Sequence, residues 1–408
     1  MKMKMKMKMK DIRRVKTSYK ENDVIFLLND LTDIQNEIAM SIEDKEKDIQ
    51  AGKKHYSETI HIEEAPTQKY LDLFHQLLNN EEIIQDFVSD LNTIANKIIG
   101  NNKIRNQMNN LSTEDKNEIV ICSLARAGTP IGILLKRVIE LIEYKTRVTH
   151  YSISIIRDKG IDENALKYIL SKHNDKSIVF VDGWTGKGVI GQQLKKSIQE
   201  FNNKNNTNLS DELYVVTDIS YTADYTGSHK DYIIPSAVLN SIVSGLISRS
   251  ILNNKIEIQN NINNSYHGAI YYSHLEQCDL SNQFIDVIMQ YLKRYIENNK
   301  RNFIYFAVEK DKQIEQKSND SKNEHIDFIN QYMEKYHVLN INLIKPGVCE
   351  ATRVMLRRVP RALIVRDKNE IHVKHLLELA KQKDIPVHID KNLLYNAIAI
   401  IKSMSDDK

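Results

Sequence analysis

Cysteine is scarce in this chain of 408 residues: there are three. Cys122, Cys278 and Cys349 are far apart and odd in number, so no Cys-x-x-Cys zinc pattern or disulfide framework is indicated, and a reducing, cytoplasmic setting fits. Long apolar runs are missing as well. None approaches the ~20 residues that a helix needs to span a bilayer, which sets a membrane partner aside. Charge of one sign is also lacking. The formal net charge is +3, and the five lysines of the opening MKMKMKMKMK exceed it, leaving 52 basic against 54 acidic residues elsewhere. That opening has neither the apolar core of a secretory signal nor the Arg/Ser-rich character of a transit peptide. Residues 1–10 therefore read as a solvated, disordered basic tail. The composition, 41% hydrophobic and 27% charged, is that of a globular protein, and the length suits two or three domains.

Periodicity divides the remainder. Residues 11–110 look mostly helical, with Tyr70, Leu71, Phe74, Leu77 and Leu78, then Ile83 to Ile98, at helical spacing. From about 117 the period changes to short apolar runs, at 118–122, 148–155, 178–181 and 213–218, alternating with helical stretches. This is the signature of a parallel α/β sheet with helices on both faces. Asparagine-rich 253–265 reads as a loop insertion, and polar 311–326 as a linker. The tail forms its own small α/β module: a helix at 326–336, a strand at 361–366, a helix at 372–383, a strand at 385–389 and a final helix at 394–401. The division is thus tail 1–10, main domain 11–310, linker 311–326 and module 327–408.

Two strand–turn–helix junctions carry chemistry. In SIVFVDGWTGKG the strand ends on Asp182, and Thr185-Gly186-Lys187-Gly188 lead into a helix. Free N–H groups and the positive end of a helix dipole converge there, which suits a phosphate. In SLARAGTP, Arg126-Ala127-Gly128 repeat the arrangement, and Arg126 can fork onto a diphosphate. Both loops lie at the carboxyl ends of strands, where open α/β sheets bind ligands. Asp182 is available for ribose hydroxyls or Mg²⁺. Each loop on its own also fits a ligand-free βα turn.

VFVDGWTGKG resembles the 5-phosphoribosyl-diphosphate (PRPP) signature of phosphoribosyltransferases, and SLARAGTPIG resembles their diphosphate loop. Arg157-Asp158-Lys159 falls where such folds carry a mobile loop. The usual signature has two adjacent acids; here Asp182 is followed by Gly183. Longer segments, among them DVIFLLNDL, GKKHYSETI, HYSISIIRDKGID and DYIIPSAVLNSIVSGLISRS, resemble the phosphoribosyltransferase-like family named cysteine protease StiP, of tellurium-resistance-type stress operons. IKPGVCEATRVMLRRVPRALIV resembles its Pelota-type (L7Ae-like) RNA-binding domain. The resemblance implies a phosphoribosyltransferase-like fold, Mg²⁺ as cofactor, PRPP as co-substrate, a nucleobase-like acceptor and RNA as a partner; it leaves room for a homo-oligomer.

Read this way, Asp182, Arg126, Asp218, Arg157 and Lys159 are the candidate catalytic residues, with Asp182 also the metal ligand. Ala127, Gly128, Thr185, Gly186, Lys187, Gly188, Ser236, Asn240 and Arg249 are the candidate binding residues. Positions 236, 240 and 244 would share one face of an apolar helix, lining a site or satisfying backbone. Asp218 fits either a base contact or a strand-end cap. Residues 340–402 hold twelve Lys/Arg against six Asp/Glu, with Arg353, Arg357, Arg358, Arg361 and Arg366 near the start. That is a nucleic-acid footprint or a solvated face. None of the cysteines has a recognisable nucleophile context, and His55 and His267 are candidate functional histidines without an identifiable partner. Three functions stay open: ribosyl-phosphate transfer, a cysteine peptidase, and a non-catalytic nucleotide sensor that binds RNA.

Overall fold

The computed structural model describes residues 13–108, 118–238, 240–253, 265–299 and 312–403. The basic tail at 1–10, and most of the asparagine-rich stretch, lie outside them.

Six parallel strands form the main sheet: β1 (Ile25–Leu27), β2 (Glu118–Ala125), β3 (Arg147–Ile156), β4 (Ile178–Thr185), β5 (Leu213–Asp218) and β6 (Tyr225–Ser228). Their order is β1-β3-β2-β4-β5-β6, and Gly160–Ile161 adds a short antiparallel segment on β3. Central strands of such a sheet are covered on both sides, so they read as unbroken apolar runs rather than alternating ones. The run Ile119-Val120-Ile121-Cys122 of β2 is fully buried for this reason. Two apolar layers sandwich the sheet. One includes α3 (Glu81–Met108), α4 (Gly128–Ile142) and α7 (Ser281–Asn298); α5 (Glu163–Leu170) and α6 (Val189–Asn205) form the other. The α/β class expected from alternating runs is the class observed. Strand β1 is a departure, since it lies in a region read as helical. Ahead of α3 come α1 (Ile42–Gln50) and α2 (Gln68–Leu78).

The C-terminal unit has a four-stranded sheet, β7 (Ile344–Pro346), β8 (Pro360–Val365), β9 (Val387–Ile389) and β10 (Ala397–Ile401), in the order β7-β10-β8-β9. It carries α8 (Lys312–Lys335), α9 (Val348–Arg357) and α10 (Lys374–Gln382). Two expectations are corrected here. The polar stretch expected as a linker is the first part of α8, which plants Ile329 and Tyr332 in the core. Residues 397–401, expected as helix, are the fully buried β10 between β7 and β8. Ala-Ile-Ala-Ile-Ile has no polar face, and β-branched residues favour a central strand.

One carboxylate supplies two of the hydrogen bonds that join the two units. Asp231 accepts the Val348 N–H at 2.7 Å, capping α9, and the Asn396 N–H at 2.8 Å. Gly347, just before α9, has φ +88° and lies where a Cβ would be 2.6 Å from Ile219. Helix α1 is also fastened to the C-terminal unit: Arg358 forks onto Glu46 at 2.6 and 2.7 Å.

Candidate anion-binding cavity

Two adjoining lobes, of about 530 and 550 Å³, open between the carboxyl edge of β2 and β4, helix α1 and helix α9. Such volumes are ordinary for small-ligand sites. Ten Lys/Arg side chains line them against five carboxylates. Asp182, Arg249, Arg353 and Arg357 border both lobes.

The first lobe holds the Arg126 loop. The Arg126 guanidinium donates to the Ile247 carbonyl at 2.7 Å and pairs with Glu63. Burial pushes the Glu63 carboxyl up, but Arg126, Arg357 and the Ser241 N–H at 2.9 Å outweigh it and hold the pKa below its ordinary value. Ala127 lines this lobe. Gly128 sits behind it, where a Cβ would meet the Asp182 carboxylate at 3.1 Å. Burial pushes the Asp182 carboxyl up to about 7, the Gly183 N–H at 2.8 Å offsetting it only in part.

The second lobe holds the turn ahead of α6, and here the C-terminal unit intervenes. A Cβ at Gly186 would lie 2.9 Å from Cγ of Glu350. The Trp184 indole donates to Glu350 at 3.1 Å, and Arg353 lies 5.6 Å over the indole ring. Burial raises the Glu350 carboxyl, yet Arg353 and Lys345 overcome this and hold it at about 2. Lys187 donates to the carbonyls of Ile341 and Ile344, so its ammonium is engaged by the C-terminal unit. Burial, then Lys345, lowers its pKa to about 7. Gly188 takes φ +71° against Thr222, a conformation only glycine adopts freely. Arg157 borders this lobe, 5.4 Å over the Tyr56 ring, with Asn342 at 3.2 Å.

Several expected site residues are elsewhere or otherwise engaged. Asp218 is fully buried; it accepts the Thr222 and Ala223 N–H groups at 2.7 and 2.8 Å and the Thr185 hydroxyl. Its carboxylate is the strand-end cap, and Thr185 spends its hydroxyl there. Lys159 is exposed and lines neither lobe. The helix with 236, 240 and 244 on one face does not form. Pro235–Ala237 and Ser241–Val243 are separate 3-10 turns, Ser236 is off the cavity, and Asn240 borders the first lobe. The buried Asn240 Oδ1 has no partner. Arg249 borders both lobes, held by the Thr59 and Ser250 carbonyls, and burial lowers its pKa to about 10.

Sequence reading missed Lys45 on α1, whose pKa is lowered to about 7 by burial, then by Arg249 and Arg358. Three of the five arginines taken as an outward basic patch, Arg353, Arg357 and Arg358, line the cavity, whereas Arg361 and Arg366 are exposed. No charge count reports direction.

Burial drives the Cys122 and Cys349 thiols far above their ordinary pKa, and Cys278 is partly exposed. Among the described residues no hydrogen bond joins a cysteine to a histidine; Cys349 meets the Ile234 N–H and the Tyr232 carbonyl, each at 3.4 Å. His55 bonds the buried Ser57 hydroxyl at 2.7 Å, and His267 the Ser154 hydroxyl at 2.8 Å. Local structure accounts for His267, whereas the buried Nε2 of His55 has no hydrogen-bond partner among the described residues. No group of three or more metal-binding side chains is found among the described residues, and the cavity's five carboxylates stand among ten cations. The residues present do not fit a protein-held Mg²⁺.

The family model described as "Tellurite-like stress resistance cysteine protease StiP" matches residues 17–289, and "PELOTA RNA binding domain" matches residues 323–403. A curated protein of Acinetobacter baylyi (strain ATCC 33305 / BD413 / ADP1), named "Cysteine protease StiP", is 35% identical over 396 residues, covering 95% of this chain and 94% of its own. Among solved structures, the hypoxanthine phosphoribosyltransferase of Trypanosoma cruzi aligns at 13% identity and TM-score 0.27, over 37% of this chain and 82% of its own. The same enzyme in complex with the product IMP aligns at 13% identity and TM-score 0.26, over 44% and 93%. Likeness at that level carries no argument about activity.

Proposed function

The chain belongs to the StiP family, and from that premise we propose that it is an enzyme whose working site is the cavity between the sheet edge and the C-terminal unit. Its ligand is a phosphorylated ribosyl compound of the PRPP kind, and it acts on a base-like or nucleoside-like partner in a stress response. The observation that carries this reading is the excess of ten cations over five carboxylates around one small-molecule volume. Such crowding is unfavourable until an anion enters. In the reaction the C1–O bond to diphosphate breaks through an oxocarbenium-like state, and the acceptor nitrogen takes the carbon. Arg126, Arg249 and the loop N–H groups stabilise the departing diphosphate. Asp182, titrating near neutrality, passes the acceptor's proton. No step is routed through Mg²⁺.

The second reading is the cysteine peptidase stated by the name of the relative, and similarity by name backs it ahead of ribosyl transfer. Cys278, the partly exposed thiol, is its candidate nucleophile. RNA binding is a proposal for the outer face of the C-terminal unit, supported by the Pelota match and by exposed Arg361 and Arg366.

Calorimetry with PRPP tests the first reading. Binding is expected, weakened at least tenfold by Arg249→Met; no heat at millimolar PRPP overturns it. Peptide hydrolysis by the wild type that disappears in Cys278→Ala would instead establish the peptidase.

A further inference from the structure

We propose that Arg353 and Arg357, on helix α9 of the C-terminal unit, bind a second anionic group of the cavity's ligand. The unit matched as an RNA-binding domain then completes a small-molecule site, and the ligand belongs to the class with two separated phosphate or diphosphate groups. The inference rests on the anion-cavity reading above.

Arg357 is the anchor of the argument. Its Nε is buried without a hydrogen-bond partner, and its guanidinium makes no ion pair within 4 Å among the described residues. Three carboxylates of the cavity are already engaged. Glu63 holds Arg126 and the Ser241 N–H. Glu350 holds Trp184 and Arg353, the latter at 3.0 Å. Glu46 holds Arg358 at 2.6 Å. A buried guanidinium is costly unless it is paired, so the missing partner comes from outside the chain.

Geometry supports the same conclusion. Positions 353 and 357 are four apart on α9, so both side chains rise on one helix face. That face borders both lobes, between the Arg126 loop and the Gly186 turn. The planar guanidinium fork matches two oxygens of a phosphate, which an ammonium does not. Asn240, with its unpartnered Oδ1, borders the same lobe as Arg357 and offers its amide to a hydroxyl of the ligand.

The experiment is thermal melting and calorimetry of the full chain with inorganic pyrophosphate and with PRPP, using Arg357→Met, Arg357→Lys and the exposed Arg361→Met. Wild type and Arg361→Met are expected to be stabilised alike by both anions. Arg357→Met is expected to melt no lower than wild type without ligand, because it removes an unpaired buried charge, and to lose at least tenfold in affinity. Arg357→Lys retains the charge without the fork and falls between; it decides the matter if the methionine variant does not fold. A wild type indifferent to both anions overturns the cavity reading itself. A responsive wild type matched by Arg357→Met overturns only the role of Arg357. Loss of single-stranded RNA retention by Arg357→Met, with pyrophosphate affinity unchanged, assigns the residue to RNA and also overturns the inference.

Discussion

The indole N–H of Trp184 donates to the carboxylate of Glu350 at 3.1 Å, joining the end of β4 to the first turns of α9. Trp184 is the sole tryptophan of the chain, so its fluorescence reports on the surroundings of this contact, Arg353 included. Glu350→Gln retains the shape but takes the counter-charge from Arg353 and Lys345. We expect a loss of about 2 kcal/mol in unfolding free energy, a shifted emission, and tighter pyrophosphate binding because the cavity is more positive. Urea melts and fluorescence titration check all three, and weaker pyrophosphate binding would contradict the anion site.

Anion binding should fall as pH rises through 7. Burial sets the Lys187 and Lys45 ammonium groups and the Asp182 carboxyl to titrate at about 7. Above that pH the lysines lose their positive charge and Asp182 becomes negative, so all three changes disfavour an anion. An incoming anion raises all three pKa values, and binding at pH 7 should therefore take up protons. Calorimetry in two buffers of different ionisation enthalpy measures this; proton release would contradict it.

Gly132→Ala should be strongly destabilising although alanine is the better helix former. A Cβ there would lie 2.2 Å from Nε2 of buried His150, which bonds Ser123 at 2.7 Å. Overpacking of this kind costs about 1–3 kcal/mol. A denaturant midpoint equal to that of wild type would show that His150 can step aside.

Native alkylation with iodoacetamide should label Cys278 and spare Cys122 and Cys349, whose burial holds their thiols protonated. Peptide mass mapping reads the result directly. Labelling of Cys349 before unfolding would mean that the C-terminal unit lifts off the main sheet.

What was legible in the sequence is local. The runs at 118–122, 178–181 and 213–218 announced a covered parallel sheet, and the glycine-bearing turns announced where its helices begin. Alternation of Ala and Ile at 397–401 misled because alanine suits either period, and only the flanking β7 and β8 decide for strand. For Asp218 a base contact and a strand-end cap stand level in the sequence; the N–H groups of Thr222 and Ala223, within five residues of it, decide for the cap. The cavity itself was half hidden. Arg126 and Asp182 belong to recognisable loops, but Lys45, Arg353 and Arg357 come from segments whose sequence reports charge and not direction.

The Asp231 cap has a consequence for the order of synthesis. During translation the main sheet can leave the ribosome before Val348 and Asn396 exist, and until they arrive a carboxylate built for burial, with Tyr232, Ile233 and Ile234 beside it, faces water. The nascent sheet thus displays an apolar patch that later residues of the same chain must cover. Stalled or prematurely ended chains would carry that patch permanently, marking them for chaperones and proteases.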